Sequence, residues 1–214
     1  MKRNHAFTLI ELLIVVAIIA ILAAIAVPNF LEAQVRAKVA RVYADMRSMG
    51  TAIEEYAVDF NRPPLGVAEL KIVVPSPPLP NNRDELNLLA LSTLTTPISY
   101  MSSLLVDPFV KQGAKTNQGT VMTRIYYQYQ GWSNLFAGLG GNSNEWRYEC
   151  YNEGYTWGLQ SFGPSGTGGG MFCGVLLGYS ENTAYDASNG TTSRGRIIRT
   201  NKGIWAGPDE KREK

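Results

Sequence analysis

The strongest constraint on this chain is an uninterrupted apolar stretch at its amino end. Residues 7 to 27 contain one charged side chain, Glu11, and are otherwise almost wholly apolar. As a helix, these 21 residues extend about 31 Å, which matches the ~30 Å hydrocarbon layer of a bilayer. The stretch therefore predicts a membrane-spanning helix. Lys2 and Arg3 precede it and favour a cytoplasmic amino end, with the remainder of the chain on the outer side.

The rest of the chain is polar and balanced in charge. Of the 214 residues, 45% are hydrophobic and 18% are charged, which is typical of a globular domain. The formal net charge is +2, and setting Lys2 and Arg3 aside leaves 18 basic and 18 acidic side chains. Nucleic-acid binding requires an excess of basic side chains on one surface, so this balance argues against it.

Histidine usage limits the possible chemistry. His5, the single histidine, lies in the basic leader ahead of the apolar stretch. A chain without that leader can build neither a Ser/His/Asp nor a Cys/His nucleophile, and it has no imidazole for zinc. These absences argue against most hydrolases and leave chemistry that uses only carboxylates open.

Cys150 and Cys173 are the only cysteines. A single pair in an exported domain predicts a disulfide bond, which would stabilise the fold by roughly 3 kcal/mol. Two unpaired thiols are the alternative.

Glu11 is a carboxylate inside the apolar stretch. A lone charge in a bilayer costs several kcal/mol unless it is paired or protonated, so such a residue marks a functional site by default. The alternative is that Glu11, near one end of the span, reaches the membrane surface.

The segment from Ala6 to Leu12, with the sequence AFTLIEL, resembles the processing site of type IV prepilins and type II secretion pseudopilins. In that family a membrane aspartyl peptidase removes a short basic leader, the new terminal Phe is N-methylated, and a Glu four residues later is retained. The resemblance implies cleavage between Ala6 and Phe7, methylation of Phe7 and an assembly role for Glu11. The family usually has Gly before the cut, and we expect Ala6, the next smallest residue, to permit cleavage.

The resemblance also implies how Glu11 acts. Cleavage creates a positive amine on Phe7, and Glu11 of a neighbouring subunit can neutralise it. In a low-dielectric filament core either charge alone is strongly destabilised, so the pair favours the register in which they meet.

Beyond Val27 the apolar residues continue at spacings of three and four, which predicts an amphipathic helix of about eight turns. We expect this helix to pack on its own domain; a coiled coil is the alternative. Pro28 predicts a kink or a locally melted stretch, or else a simple bend at the membrane surface. Pro63 and Pro64 follow the helix end near residue 60. The stripe consists of Leu31, Val35, Val39, Val42, Met46, Met49, Ile53, Tyr56 and Phe60.

The outer region predicts an α+β domain, with a small antiparallel sheet packed on the long helix. Aromatic and β-branched residues predict strands at 124–129, 155–162 and 196–199. Residues 83–94 predict a helix, and the proline-rich residues 65–83 predict a loop. Glycine-rich turns are predicted at 138–144, 163–170 and 189–190. The organisation is thus a leader (1–6), a transmembrane half-helix (7–27), an amphipathic half-helix (28–60) and a pilin-like globular domain (61–214).

Three later segments, 105–109, 127–129 and 159–166, resemble in order those of the major pseudopilin of type II secretion. Members of that family bind calcium in a carboxy-terminal loop. Here Ser165 stands where an acidic residue is common, and only Glu181 and Asp186 lie nearby, so no metal ligands are assigned. We expect no cofactor, with calcium left open.

The sequence therefore predicts a structural subunit of a type II secretion pseudopilus, a filament that drives protein export, and not an enzyme. The alternative is a type IV pilin of a surface filament for adhesion or motility. The resemblance implies self-assembly in the inner membrane with a periplasmic or extracellular domain. It also implies contact with lipid, a prepilin peptidase, minor pseudopilins or pilins, and an assembly platform.

Two other functions stay open from the residues alone. A membrane-anchored enzyme would need converging carboxylates, such as Asp107 with Glu145 or Glu149. An adhesive module would use exposed aromatic side chains in the outer loops, although core packing explains such residues more simply. The aromatic candidates are Tyr126, Tyr127, Tyr129, Trp132, Trp146, Tyr148, Tyr151 and Trp157.

Overall fold

One long helix, α1 (Leu9–Phe60), dominates the structure, a computed structural model. Its 52 residues extend about 78 Å. Thr8 caps the amino end, and Asn61 ends the helix in the left-handed conformation, at φ 54°. The described residues are 8–74, 79–80, 83–110, 126–139, 142–164, 172–178, 184–186 and 195–205.

The structure confirms the predicted α+β class, a long amino-terminal helix on a small antiparallel sheet. The sheet has four strands in the order β1-β2-β3-β4, each antiparallel to its neighbour. In register, Tyr129 lies opposite Leu159, and Leu159 lies opposite Arg199. The strands are β1 (Gln128–Gly131), β2 (Trp157–Ser161), β3 (Ile197–Thr200) and β4 (Gly203–Trp205).

The carboxy-terminal half of α1 packs on one face of this sheet. The predicted stripe is buried from Val39 to Tyr56, Val35 is half-buried, and Leu31 and Phe60 are exposed. Gly50 makes the closest approach, because a Cβ there would lie 2.5 Å from Nε of Arg199. The core on this side also holds Ala90, Leu91, Leu94, Tyr127, Tyr129, Trp157, Leu159 and Ile197.

A second apolar cluster covers the opposite face of the sheet. Ile198 of β3 contacts it, and it includes Trp132, Cys150 and Cys173. Two helices supply most of its residues, α4 (Asn142–Asn152) and α5 (Phe172–Leu176). Because both faces of the sheet are covered, all five residues of β2 are buried.

The sequence prediction was wrong for three short elements. The expected loop at 65–83 contains α2 (Val67–Val73), and the expected turn at 138–144 overlaps the first residues of α4. β4 was not predicted at all. The helix predicted at 83–94 is present as α3 (Arg83–Ser92). The turn at 189–190 and most of the turn at 163–170 lie outside the described residues.

Pro28 lies within α1, and the helix continues through it without a break. The predicted melting is therefore absent in this structure, because the proline removes one hydrogen bond while the flanking turns keep theirs. The helix is continuous from the apolar half to the half that packs on the sheet.

Asn87 of α3 pairs with the free side of β1. Its Nδ2 donates to the Tyr127 carbonyl at 2.7 Å, and its Oδ1 accepts from the Tyr129 amide at 2.8 Å. The amide side chain thus takes the place of a neighbouring strand. It satisfies backbone groups that the edge of a sheet otherwise exposes.

Asp107 joins the loop before β1 to the end of β2. Its Oδ1 accepts from the Phe109 amide at 2.9 Å, and its Oδ2 accepts from the Phe162 amide at 3.1 Å. The residue is 1% exposed, and burial raises the pKa of its carboxyl group although these amides favour the charged form. Gly163 follows with φ +67°, which brings it against the Gly195 carbonyl.

We predict that Asp107→Asn lowers the free energy of unfolding by about 1–3 kcal/mol. An asparagine has one acceptor oxygen, so its NH₂ group must face one of the two backbone amides and leave it unsatisfied. Denaturant unfolding in detergent measures the change, with the exposed Glu85→Gln on α3 as control. Equal stability of Asp107→Asn and the parent would contradict this account.

Candidate functional site

The amino-terminal half of α1 has no core of its own. Its large apolar side chains from Leu9 to Leu31 are all exposed, between 49% at Val15 and 80% at Leu9. The most apolar 18 residues have a mean hydropathy of 3.1, and none of that window is buried. A helix inside a soluble core passes the same hydropathy criterion but is mostly buried. This surface therefore requires lipid or other apolar helices around it.

Glu11 lies at the start of this exposed half and forms a capping box with Thr8. Its Oε2 accepts from the Thr8 amide at 2.9 Å and from the Thr8 hydroxyl at 2.7 Å. In return, the Glu11 amide donates to Thr8 Oγ1 at 3.3 Å. These bonds satisfy two helix-terminal amides, and the helix dipole favours a negative charge at this position.

The capping box orients the carboxylate that the sequence assigns to assembly. Among the described residues, Thr8 engages only Oε2 of Glu11, which leaves Oε1 able to accept a hydrogen bond from an amine. Sequence reasoning named Glu11 and passed over Thr8, although Thr-x-x-Glu ahead of an apolar run is a recognisable capping signal. Ala6 and Phe7, the predicted cleavage and methylation residues, lie outside the described residues.

Comparison with known proteins bears directly on this end of the chain. Residues 1–27 match the family described as "Prokaryotic N-terminal methylation motif". The matched residues include the basic leader, the capping box and the apolar stretch.

The curated proteins to which this chain is similar include both pilins and a secretion protein. Type IV major pilin protein PilA of Myxococcus xanthus is 48% identical over 60 residues, 28% of this chain and 27% of the relative. Type IV major fimbrial protein FimA of Dichelobacter nodosus is 55% identical over 53 residues, 25% of this chain and 34% of the relative. Type II secretion system core protein G of Pectobacterium carotovorum subsp. carotovorum is 34% identical over 83 residues, 37% of this chain and 53% of the relative.

The chain thus spans between 27% and 53% of the length of these relatives. No solved structure was found to match it. The matched stretches are 53 to 83 residues long, so the similarity to these relatives covers only part of the chain.

Cys150 and Cys173 lie together in the second apolar cluster, and both are free and fully buried. The predicted disulfide is therefore not formed in this structure. Cys173 Sγ instead accepts from Trp132 Nε1 at 2.7 Å, while the Cys150 thiol lies 3.9 Å from the Cys173 carbonyl. Burial raises the pKa of the Cys150 thiol, which disfavours its thiolate in the folded protein.

Asp107, considered above for an enzyme, uses both of its carboxylate oxygens to accept from backbone amides, whereas Glu145 is exposed on α4. Glu69 is 3% exposed; its Oε2 accepts from the Gly66 amide at 2.7 Å, and burial raises its pKa. It caps α2, a role that sequence reasoning missed.

One cavity of about 360 Å³ lies between α2 and α4, and no carboxylate lines it. Among the described residues no group of three or more His, Cys, Asp or Glu side chains could hold a metal ion. The loop considered for calcium lies largely outside those residues, since Ser165 and Glu181 are not described and Asp186 is exposed. The calcium hypothesis stays untested.

The aromatic side chains proposed for adhesion serve mainly the core. Tyr127, Tyr129, Trp132 and Trp157 are at most 2% exposed. Tyr148 and Tyr151 on α4 are about one-third exposed. Tyr126 and Trp146 are half-buried.

We predict that the exported protein nevertheless joins Cys150 to Cys173, because the two side chains share one cluster and oxidation can precede folding. Alkylation of the unfolded protein without reductant should leave both cysteines unlabelled, as mass spectrometry would show. Cys173→Ser provides the control, in which Cys150 becomes labelled. Labelling of both thiols in the unreduced parent would refute the bond.

Proposed function

We propose that this chain is a structural subunit of a type II secretion pseudopilus and not an enzyme. The observation that carries the proposal is α1 itself. Half of it is apolar and exposed, and the motif at its amino end is that of prepilins. The other half anchors a compact outer domain without a break at Pro28.

The exposed half of α1 is compatible with two environments, first lipid and then the interior of a filament. Fully burying one Leu, Ile or Val side chain is worth about 1.5–3 kcal/mol, so the surface is stable in lipid before assembly. Within a filament, the same surface packs against the same surface of other copies. Replacing contacts with lipid by contacts with another apolar helix changes the free energy little. Polar interactions therefore set the register between helices.

Glu11 supplies that interaction in the proposed mechanism. A prepilin peptidase cuts after Ala6, and the amine of Phe7, once methylated, meets Glu11 of a neighbouring copy. The capping box supports this role because Thr8 holds one carboxylate oxygen and leaves the other free to accept. The charges then neutralise each other in a region of low dielectric constant.

Membrane topology follows from the same features. Lys2 and Arg3 favour a cytoplasmic amino end, which puts the outer domain in the periplasm or outside the cell. An assembly platform in the inner membrane and minor pseudopilins are the proposed partners.

A surface pilus is the second candidate. The matches to PilA and FimA favour it, while the match to core protein G is longer. Deleting the gene and scoring export against surface filaments separates the two.

We predict that the mature chain begins at Phe7 with a methylated amine. Co-expression with the cognate peptidase, followed by mass spectrometry of the membrane fraction, tests both points. The uncut precursor from cells without the peptidase is the control. An intact leader in the presence of the peptidase, or a cut beyond Val27, would exclude the proposal.

We predict that Glu11→Ala abolishes filaments while cleavage and membrane insertion continue. Glu11→Gln is the matched variant, since its amide oxygen can still accept from Thr8 but carries no charge. If charge pairing sets the register, Glu11→Gln forms no filaments, just as Glu11→Ala forms none. Electron microscopy of sheared filaments measures this outcome. Normal filaments from Glu11→Gln would assign Glu11 to helix capping alone.

A further inference from the structure

The cavity between α2 and α4 combines apolar walls with positive charge. Its volume is about 360 Å³, and Gln130 of β1 also lines it. Tyr129, the next residue along β1, belongs to the core that includes α1, so Gln130 points to the opposite face of the sheet. This lining residue therefore reaches the cavity from the side of the sheet away from the long helix.

The apolar part of the lining is incompletely covered. Val67 is buried, whereas Ile72 and Leu139 are 39% and 38% exposed. Large apolar side chains that converge on a concave surface favour an apolar ligand, because covering them removes their surface from water. The volume of the cavity is within the range of small-molecule sites, roughly 300–1,000 Å³.

Two cations line the same cavity. Lys71, in the last turn of α2, is exposed and makes no ion pair with any described residue. Arg147 of α4 is half-buried, and its Nη1 donates to Asn144 Oδ1 at 3.1 Å. The guanidinium also lies over the ring of Phe136, 5.5 Å from its centroid. These contacts restrict the guanidinium, so it loses less conformational entropy when it binds a carboxylate.

The charge around the cavity suits a monoanion. Glu69 interacts electrostatically with Arg147 and offsets part of its charge. Glu69 does not line the cavity, since it is buried and its Oε2 accepts from the Gly66 amide at 2.7 Å. Two lining cations and one nearby acid leave an excess of one positive charge. A single carboxylate balances this excess, whereas a multivalent phosphate would bring charge that the site cannot compensate.

We propose that this cavity binds a small organic acid, a carboxylate on an apolar body. The carboxylate contacts Lys71 and Arg147, whose planar guanidinium matches a carboxylate in geometry. The apolar body covers Val67, Ile72 and Leu139. A cation would be repelled, and a neutral hydrocarbon would leave the two charges unused. The site is independent of the proposed filament, because none of these residues belongs to α1.

A matched pair of compounds tests the site on the full chain in lipid nanodiscs. Phenylacetate is the acid, and phenylacetamide has the same apolar body without the charge. We expect phenylacetate to bind about tenfold more tightly, because hydrogen bonds to charged groups are stronger than neutral ones. Saturation-transfer NMR titrations measure both affinities, and empty nanodiscs give the background from lipid. Equal affinities, or no binding of either compound, would overturn the proposal.

Substitution of the cations gives a second measurement. Lys71→Gln should weaken phenylacetate binding about threefold or more, as expected for an exposed ion pair, and should leave phenylacetamide unchanged. Arg147→Gln should weaken it about tenfold, because a half-buried guanidinium makes the stronger contact. Lys38→Gln removes the same charge from an exposed position on α1 and should have no effect. Equal phenylacetate affinities of Lys71→Gln and Lys38→Gln would refute the assigned contact, even if Arg147→Gln did not fold.

The acid has two natural sources, a free metabolite-sized compound and the carboxy-terminal residue of a polypeptide. An acetylated tripeptide that ends in phenylalanine distinguishes them, with its carboxy-terminal amide as control. Tighter binding of the free-carboxylate peptide than of phenylacetate supports the site and assigns the end of a polypeptide. Weaker binding of that peptide supports the site and assigns a free acid. Equal binding of the peptide and its amide would count against a carboxylate site.

Discussion

The structure depends on one contrast along α1, between a half that contributes to a core and a half that has none. From Val39 to Tyr56 the helix buries its apolar stripe against the sheet, which fixes the outer domain to it. From Leu9 to Leu31 the same helix offers apolar side chains in every direction. A monomer in water cannot bury these side chains, so this half of the helix requires lipid or other apolar helices around it.

Polar contacts specify the geometry that this apolar surface leaves undetermined. Apolar helices slide past one another at little cost, because one lipid-like surface resembles the next. Thr8 and Glu11 place a carboxylate at one end of the helix, and Trp157 holds Glu54 near the other. In both cases a hydrogen bond within the subunit fixes one oxygen of the carboxylate.

Sequence patterns predicted the long elements well and the short ones poorly. The stripe on α1 continues over many turns, so its period was unambiguous, and the strands at Tyr129 and Leu159 had strong β-branched and aromatic composition. α2 was missed because the prolines that follow it led to the prediction of one loop that also included the residues of α2. α4 starts among glycines and polar residues, although Trp146 and Cys150 stand four residues apart, a helical spacing. The capping roles of Thr8 and Glu69 needed the structure to show which backbone amides they satisfy.

The hydrogen bonds of Asn87 at the edge of the sheet affect how subunits can associate when they are concentrated. Subunits concentrated in a membrane or a fibre are at risk of joining sheet to sheet, since an open edge strand accepts any passing strand. The side-chain amide of Asn87 already occupies the bonding groups at Tyr127 and Tyr129, and β4 at the far side is only three residues long. In the proposed filament, these two features leave the helical stem as the surface for assembly and disfavour growth from sheet to sheet.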